Sequence, residues 1–357
     1  MKKILSLFLV LVISLSLFGC GKYEPVESTK LEQTEIASMK NGKTTYKANY
    51  ELFRMLFLSA KETLGDGTDA ATLAEAKEIA LDRMLEIYSV FALADALDID
   101  LYSRTVDKQV EESITLSIEG GIGQNGQELE GVGSYEKYLE NLKLFYMNYA
   151  VADLMIRYSY GVSAIGAYFR GTYDDHGLKE EEGKLSYTDE DVTGFYNSAD
   201  TRRILLVFTQ KEASEAQDLR DRIAALATEE EVSAFLLGNT TANEVDARGG
   251  QVIGLHTLDN SVYKDVTDAA FALEVGETSA LIPGISDGFS GYYILYRAEK
   301  SSANLDEMRP YVEKNYVENE IGKRYHEIKT ALEKSLVTTE FFKGLDLSAI
   351  RMDEEAK

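Results

Sequence analysis

Apolar residues recur at steps of three and four between Ala71 and Leu97, where Ala76, Ala80, Met84, Ile87, Phe91 and Ala94 form one stripe. This spacing predicts an amphipathic helix whose stripe faces a core. Asp95, Asp98 and Asp100 end it. An earlier helix is expected where Tyr50, Phe53, Met55, Phe57 and Leu58 follow the turn Asn41-Gly42-Lys43-Thr44-Thr45-Tyr46, and a later one from about Ser103. Ile118 to Gly133 holds six glycines among polar residues and reads as a loop. Ser134 to Phe169 reads helical and is rich in tyrosine: Tyr135, Tyr138, Tyr146, Tyr149, Tyr158, Tyr160 and Tyr168. Such side chains suit a surface that meets varied peptides, although ordinary helix packing is the commoner use of any single one. Gly171 to Ser186 is polar and reads as a loop, after which Thr188 is an N-cap candidate followed by acids that favour a helix start. Near the end, Leu305, Met308, Val312, Ile321, Tyr325, Ile328, Leu332 and Leu336 give the stretch from Asn304 to Leu336 an apolar stripe that needs a partner.

The period changes in the middle of the chain. Arg202-Arg203-Ile204-Leu205-Leu206-Val207-Phe208 and Gly291-Tyr292-Tyr293-Ile294-Leu295-Tyr296-Arg297 read as strands. Between them lie two helical segments, a Gly249-Gly250 corner, the phrase from Asp268 to Ser279 and a Pro283-Gly284 turn. Helices at both ends and short strands in between predict an α+β chain. Its 357 residues exceed what one core usually holds, so two domains or one interrupted domain are expected.

The first segment bears on location. Met1-Lys2-Lys3 gives a positive start, Ile4 to Phe18 is apolar or small, and Leu17-Phe18-Gly19-Cys20 ends the run. The run is short for a membrane span and reads as a signal peptide. Its ending is similar to a bacterial lipobox, in which the cysteine is acylated and becomes the new N-terminus; Phe18 is a less usual residue there. Cys20 is the lone cysteine of the chain, which excludes an internal disulfide framework. Two acyl chains, with one more on the amine, would anchor durably. From Gly21 to about Lys40 the sequence is polar, as a tether would be. Loss of Lys2 and Lys3 takes the net charge from −24 to −26. No basic patch is visible, so nucleic acid is not an expected partner. A strongly anionic body stays soluble and attracts cationic, newly exported chains.

The order of motifs in the middle of the chain resembles the parvulin-type peptidyl-prolyl isomerase domain: an opening strand, a Gly-Gly corner, a Phe-Ala-Leu helix ending in Gly-Glu-x-Ser, and a closing Gly-Tyr strand. Here these are Arg202 to Phe208, Gly249-Gly250, Phe271-Ala272-Leu273, Gly276-Glu277-Thr278-Ser279 and Gly291-Tyr292. With the lipobox and the N-terminal helices, the chain resembles the PrsA and SurA foldases. That resemblance implies a signal peptide over 1–19, a tether over 20–40, a helical chaperone domain from 41–199 with 300–350, and an inserted parvulin-like domain over 200–299.

Prolyl bonds rotate over a barrier of ~18–20 kcal/mol because rotation sacrifices amide resonance. Parvulins surround the twisting carbonyl with two histidines, an acid or thiol, and a serine or threonine. By resemblance, the first histidine falls at Ile204, or at Arg203 with a slip of one, and the second at Tyr293. The acid or thiol position falls near Ala242, with Asp246 its nearest substitute, and Ser290 matches the hydroxyl position. The proline pocket would be lined by Val262, Val266, Phe271 and Leu255. His256 is a further candidate, although a lone histidine at a strand end is more often a surface residue. His326, beside Lys323 and Arg324, reads as solvated.

Asp174-Asp175-His176 are adjacent in sequence, so their side chains do not readily converge on one ion. Three histidines and no phosphate loop or nucleophile elbow leave no metal or cofactor expected. The expectation is a foldase at the outer face of the cell membrane, held by lipid on Cys20, that binds unfolded exported polypeptides with weak or no isomerase activity. A homodimer is compatible with the sequence. The rival is an active isomerase whose rearranged site uses Asp246 or His256 facing Ser290 and Tyr293.

Overall fold

Asn41 and Thr44 pair across a tight turn, joining β1 (Glu35–Asn41) and β2 (Thr44–Asn49) into an antiparallel hairpin where the sequence suggests only a turn. The structure, a computed structural model, describes residues 23, 25–122, 128–171, 185–199, 201–237, 251–254, 264–286 and 289–352. The chain divides into two compact units, 1–184 with 321–357, and 185–320. Among the described residues, no helix is long and apolar enough to cross a membrane.

In the first unit, helix α1 (Tyr50–Thr63) is buried on nearly every face, which suits its run of large apolar residues. Helix α2 (Ala70–Ala96) starts where the Asp69 carboxylate accepts hydrogen bonds from the amides of Ala71 and Thr72. Its predicted stripe, Ala76, Ala80, Met84, Ile87, Phe91 and Ala94, is buried throughout. Ser103 caps α3 (Arg104–Glu119), which carries Ile118 in its last turn. The glycine-rich stretch that follows is not wholly irregular, because β3 (Gly121–Ile122) pairs with β4 (Glu128–Leu129).

The tyrosine-rich region is two helices, α4 (Tyr135–Lys143) and α5 (Tyr149–Arg170), where periodicity suggests one. Tyr146 takes φ +60 between them, and the Asn148 side chain accepts from the Val151 amide at 2.9 Å to start α5. Asparagine favours caps over helix interiors, so the break is local chemistry. Each of the seven tyrosines is buried or half-buried. They are packing residues first, which weakens the reading of them as an open peptide surface.

The second unit opens with α6 (Asp189–Asn197), begun by the expected cap: Thr188 Oγ1 accepts from the Asp191 amide, and Asp191 Oδ2 accepts from the Thr188 amide at 2.8 Å. Then come β5 (Arg202–Thr209), α7 (Ala213–Ala224), α8 (Glu229–Leu237), β6 (Gln251–Gly254), α9 (Lys264–Ala272), β7 (Ile282–Ser286) and β8 (Phe289–Ala298). The strands form one antiparallel sheet in the order β6-β5-β8-β7. Pro283 and Gly284 do not form the predicted turn. They lie within β7, opposite Tyr292 and Gly291, and the hairpin closes where Ser286 pairs with Phe289. A proline is tolerated there because β7 is an edge strand.

Helix α10 (Ser302–Ser335) carries residues of both units. Within the second unit its Leu305, Met308 and Val312 pack with Val192 and Tyr196 of α6. Beyond it, β9 (Val337–Thr338) pairs with β1 through Ala37 and Thr338, followed by α11 (Glu340–Lys343). The Phe342 ring meets Phe53 of α1 edge-on at 4.8 Å. Described segments from the two halves of the first unit, 35–63 and 337–343, therefore share one sheet and one core.

Candidate functional site

Strand alternation sorts the sheet of the second unit into two faces. Leu205 and Val207 with Ile294 and Ala298 pack under Leu219 and Ile223 of α7 and Val232 and Leu236 of α8. Ile204, Leu206 and Phe208 with Tyr293 and Leu295 pack under Val266, Ala270 and Leu273. The second face is the one on which the family site would stand.

Ile204 is 2% exposed and Tyr293 4% exposed, and both belong to that one apolar cluster. The Tyr293 ring lies 4.9 Å from the Phe208 ring. Two glycines make room for this pair. A Cβ on Gly284 would stand 2.4 Å from Tyr293 Cε2, and one on Gly291 would stand 2.6 Å from Phe208 Cζ. At the closing glycine of the Gly-Tyr strand such a Cβ would also stand 2.3 Å from the Thr209 carbonyl oxygen, so the neighbouring strand's backbone and the Phe208 ring together require glycine there. Ile204 and Tyr293 supply no imidazole, and the aliphatic and aromatic groups around them would not stabilise a twisted amide carbonyl through charge or tuned protonation.

The slipped register places Arg203 at the same position, and its side chain belongs to other partners. Arg203 is 1% exposed; it is paired with the Glu229 carboxylate and donates to the Glu299 carbonyl at 3.1 Å. An arginine held this way is a structural cation.

Val266 is buried in the cluster with Ile204 and Tyr293. Phe271 is half-buried, and the Arg202 guanidinium stands 4.4 Å above its ring. A proline docking on Phe271 would have to displace that cation. Ser290 is exposed. Its place in β8 matches the parity of Ile294 and Ala298, so strand alternation puts it on the face opposite Tyr293. Ser290 and Tyr293 do not converge. Asp246, His256, Leu255 and Val262 lie outside the described residues, as do Ala242, the Gly249-Gly250 corner, Asp174-Asp175-His176 and Cys20. Among the described residues, no group of three or more metal-ligating side chains stands together.

The phrase Gly276-Glu277-Thr278-Ser279 has a physical role. The Gly276 amide donates to the Arg297 carbonyl at 2.7 Å, the Ser279 amide to the Leu295 carbonyl at 2.8 Å, and Ser279 Oγ accepts from the Leu295 amide at 3.0 Å. The motif fastens the segment after α9 to β8.

Sequence reasoning missed Arg202 over Phe271. The signal was the Arg202-Arg203 pair opening a strand, where alternation sends the two guanidiniums to opposite faces. It also missed a cavity in the first unit. This opening of 330 Å³ lies among α1, α2, α5 and the link between α4 and α5, lined in part by Met55, Ile87, Leu144 and Met155.

No family model matches the chain, and no curated protein matches it. Among solved structures it is similar to the foldase protein PrsA from Streptococcus pneumoniae, at 18% identity and a TM-score of 0.29, covering 81% of this chain and 93% of that one. It is also similar to PrsA from Bacillus subtilis, at 14% identity, TM-score 0.26, and 85% and 93% coverage. The foldase protein PrsA from Lactococcus lactis is a third, at 16% identity, TM-score 0.26, and 86% and 96% coverage.

Proposed function

We propose that the protein is an extracytoplasmic foldase, anchored to the outer face of the cell membrane by lipid on Cys20, that holds unfolded exported polypeptides and isomerises prolyl bonds weakly or not at all. The observation that carries the second half is the packing of Ile204 and Tyr293, at the positions of the two family histidines, into one closed apolar cluster. Cooperating catalytic groups are not additive, and loss of several together leaves little rate. What remains on that side is shape: a buried Val266, a Phe271 ring under a guanidinium, and a sheet fastened by the Ser279 segment.

The first half is supported by the composition and by the signal-like N-terminus. A body whose net charge is −26 once Lys2 and Lys3 are gone repels anionic surfaces and draws cationic unfolded chains. The domain reading that goes with it has the parvulin-like stretch 200–299 inserted into a helical domain that both chain ends complete.

Light scattering of a heat-denatured client tests holding, and a proline-peptide isomerisation assay tests catalysis. The mature protein is expected to suppress scattering at equimolar ratio and to accelerate the peptide only weakly. Robust turnover, abolished by Asp246→Ala or His256→Ala, would establish the rearranged isomerase instead.

A further inference from the structure

The cavity of the first unit has the build of a binding site. Its 330 Å³ falls at the low end of the ~300–1,000 Å³ of ligand pockets, enough for one or two large side chains. Its wall is apolar: Met55 and Leu56 from α1, Ile87 from α2, Met155 from α5, and Leu144 and Phe145 from the link above. Methionine adapts to many shapes, which suits ligands that differ from one encounter to the next. Leu144 is 71% exposed although it lines the cavity, so an apolar edge is left in water at the mouth. The adjacent Tyr146 also lines it and holds φ +60, a conformation rare for a bulky residue.

Charge at the mouth favours a cation. Among the described residues lining the cavity, Arg83 is the sole cation against the carboxylates Glu62 and Glu86. Glu62 is engaged by a neutral group, the Tyr146 hydroxyl, at 3.2 Å. Glu86 and Asp82 share one ammonium, Lys329, at 3.2 and 2.7 Å. Three carboxylates therefore face two cations locally, on a chain of net charge −24.

We infer that this cavity is the seat for an apolar side chain, leucine or phenylalanine, of an unfolded polypeptide whose neighbouring residues are basic. This deepens, and rests on, the holding function proposed above. The apolar side chain fills the space between Met55, Ile87 and Met155, and flanking lysines or arginines lie towards Glu62 and Glu86. Arg83 sets a limit: an acidic neighbour finds one partner there and two opponents.

The test is anisotropy of a fluorescein-labelled peptide with a central Leu-Phe-Leu between lysine pairs, titrated with the mature full chain, alongside client light scattering. Leu144→Ser removes an exposed apolar group without adding charge, and Ser59→Trp fills the cavity from α1; melting curves check that each folds. Both variants are expected to weaken peptide binding about ten-fold or more and to lose client suppression in parallel. A peptide with glutamates in place of the lysines is expected to bind about ten-fold less well at low salt. Undiminished binding by both folded variants, or equal binding of the two peptides, would overturn the inference. Variants that lose the peptide but still suppress client aggregation would also overturn it while leaving the holding function intact. A wild type that suppresses no aggregation would remove the holding function itself. Tighter competition by dodecanoate than by any peptide would make the cavity a lipid site and end the peptide reading.

Discussion

Arg54, 1% exposed in the middle of α1, holds its Nη2 2.6 Å from Glu32 Oε1, which reaches it from the segment ahead of β1. A guanidinium so deep in an apolar helix stands only because a carboxylate accompanies it. Removing one partner of such a pair strands the other, at a cost of about 3–5 kcal/mol. Glu32→Gln is therefore expected to lower the stability of the first unit by about 3 kcal/mol, read as a shift in denaturant midpoint. Replacing Arg54 and Glu32 together by Met and Leu should recover most of the loss.

The same pair gives a pH signature. Burial pushes the Glu32 carboxyl up, but the Thr29 amide and the Arg54 guanidinium outweigh it and hold the group below the ordinary carboxylate range. The folded state thus binds this proton less readily than the unfolded chain. Its contribution is full above about pH 4.5 and is lost as pH falls through the lowered value. In Glu32→Gln the acid limb of the stability profile should be shallower; an unchanged limb would mean that Glu32 is not depressed.

Lys300 fastens the place where the chain leaves the sheet of the second unit to the place where it enters. Its Nζ donates to the carbonyls of Tyr196, Ser198 and Thr201 at 2.8, 2.9 and 3.1 Å and to Thr201 Oγ1 at 3.0 Å. Lys300→Met removes this shared donor, although Thr201 Oγ1 and the Arg202 guanidinium still reach the carbonyls, and is expected to cost about 1 kcal/mol. Burial, with the nearby charges of Arg202 and Arg297, pushes the ammonium down to about 8. The unfolded chain, with an ordinary lysine near 10.4, then binds more protons than the folded one between these values, so stability should rise with pH across that window. Chemical denaturation from pH 7.5 to 10.5 should show the rise in the wild type and not in Lys300→Met.

Arg202 over Phe271 predicts a small energetic effect and a visible change of surface. A cation over an accessible ring is worth about 0.5–1 kcal/mol, so Arg202→Ala should melt only a few degrees lower. Freed of its cover, Phe271 should bind an apolar dye more strongly, with no gain in prolyl isomerisation because Ile204 and Tyr293 are unchanged. A large gain in isomerisation would mean that the arginine is what blocks the site.

Acylation of Cys20 can be tested by metabolic labelling with a fatty-acid probe. The wild type should be marked and Cys20→Ser should not, because this is the lone cysteine of the chain. Equal labelling of both would remove the anchor.

What the sequence determined by itself is local. The stripe of α2 was legible because a period of 3.6 leaves its mark in any order of contacts, and the Thr188 cap because its partner Asp191 is three residues away. Strands β5 and β8 and the turn-forming Ser279 phrase were legible as runs and motifs. Only the tertiary structure decided what those runs do. Pro283 and Gly284 read as a turn, but an edge position in the sheet makes them strand. Seven tyrosines left packing and a client surface both open; neighbouring helices bury or half-bury all of them, and Tyr146 and Tyr158 line the cavity. Ser290 and Tyr293 look like neighbours in sequence, yet an odd spacing along a strand sends them to opposite faces. The cavity among α1, α2 and α5 left no motif, because a void is a relation between helices distant in sequence, set by how far their side chains reach.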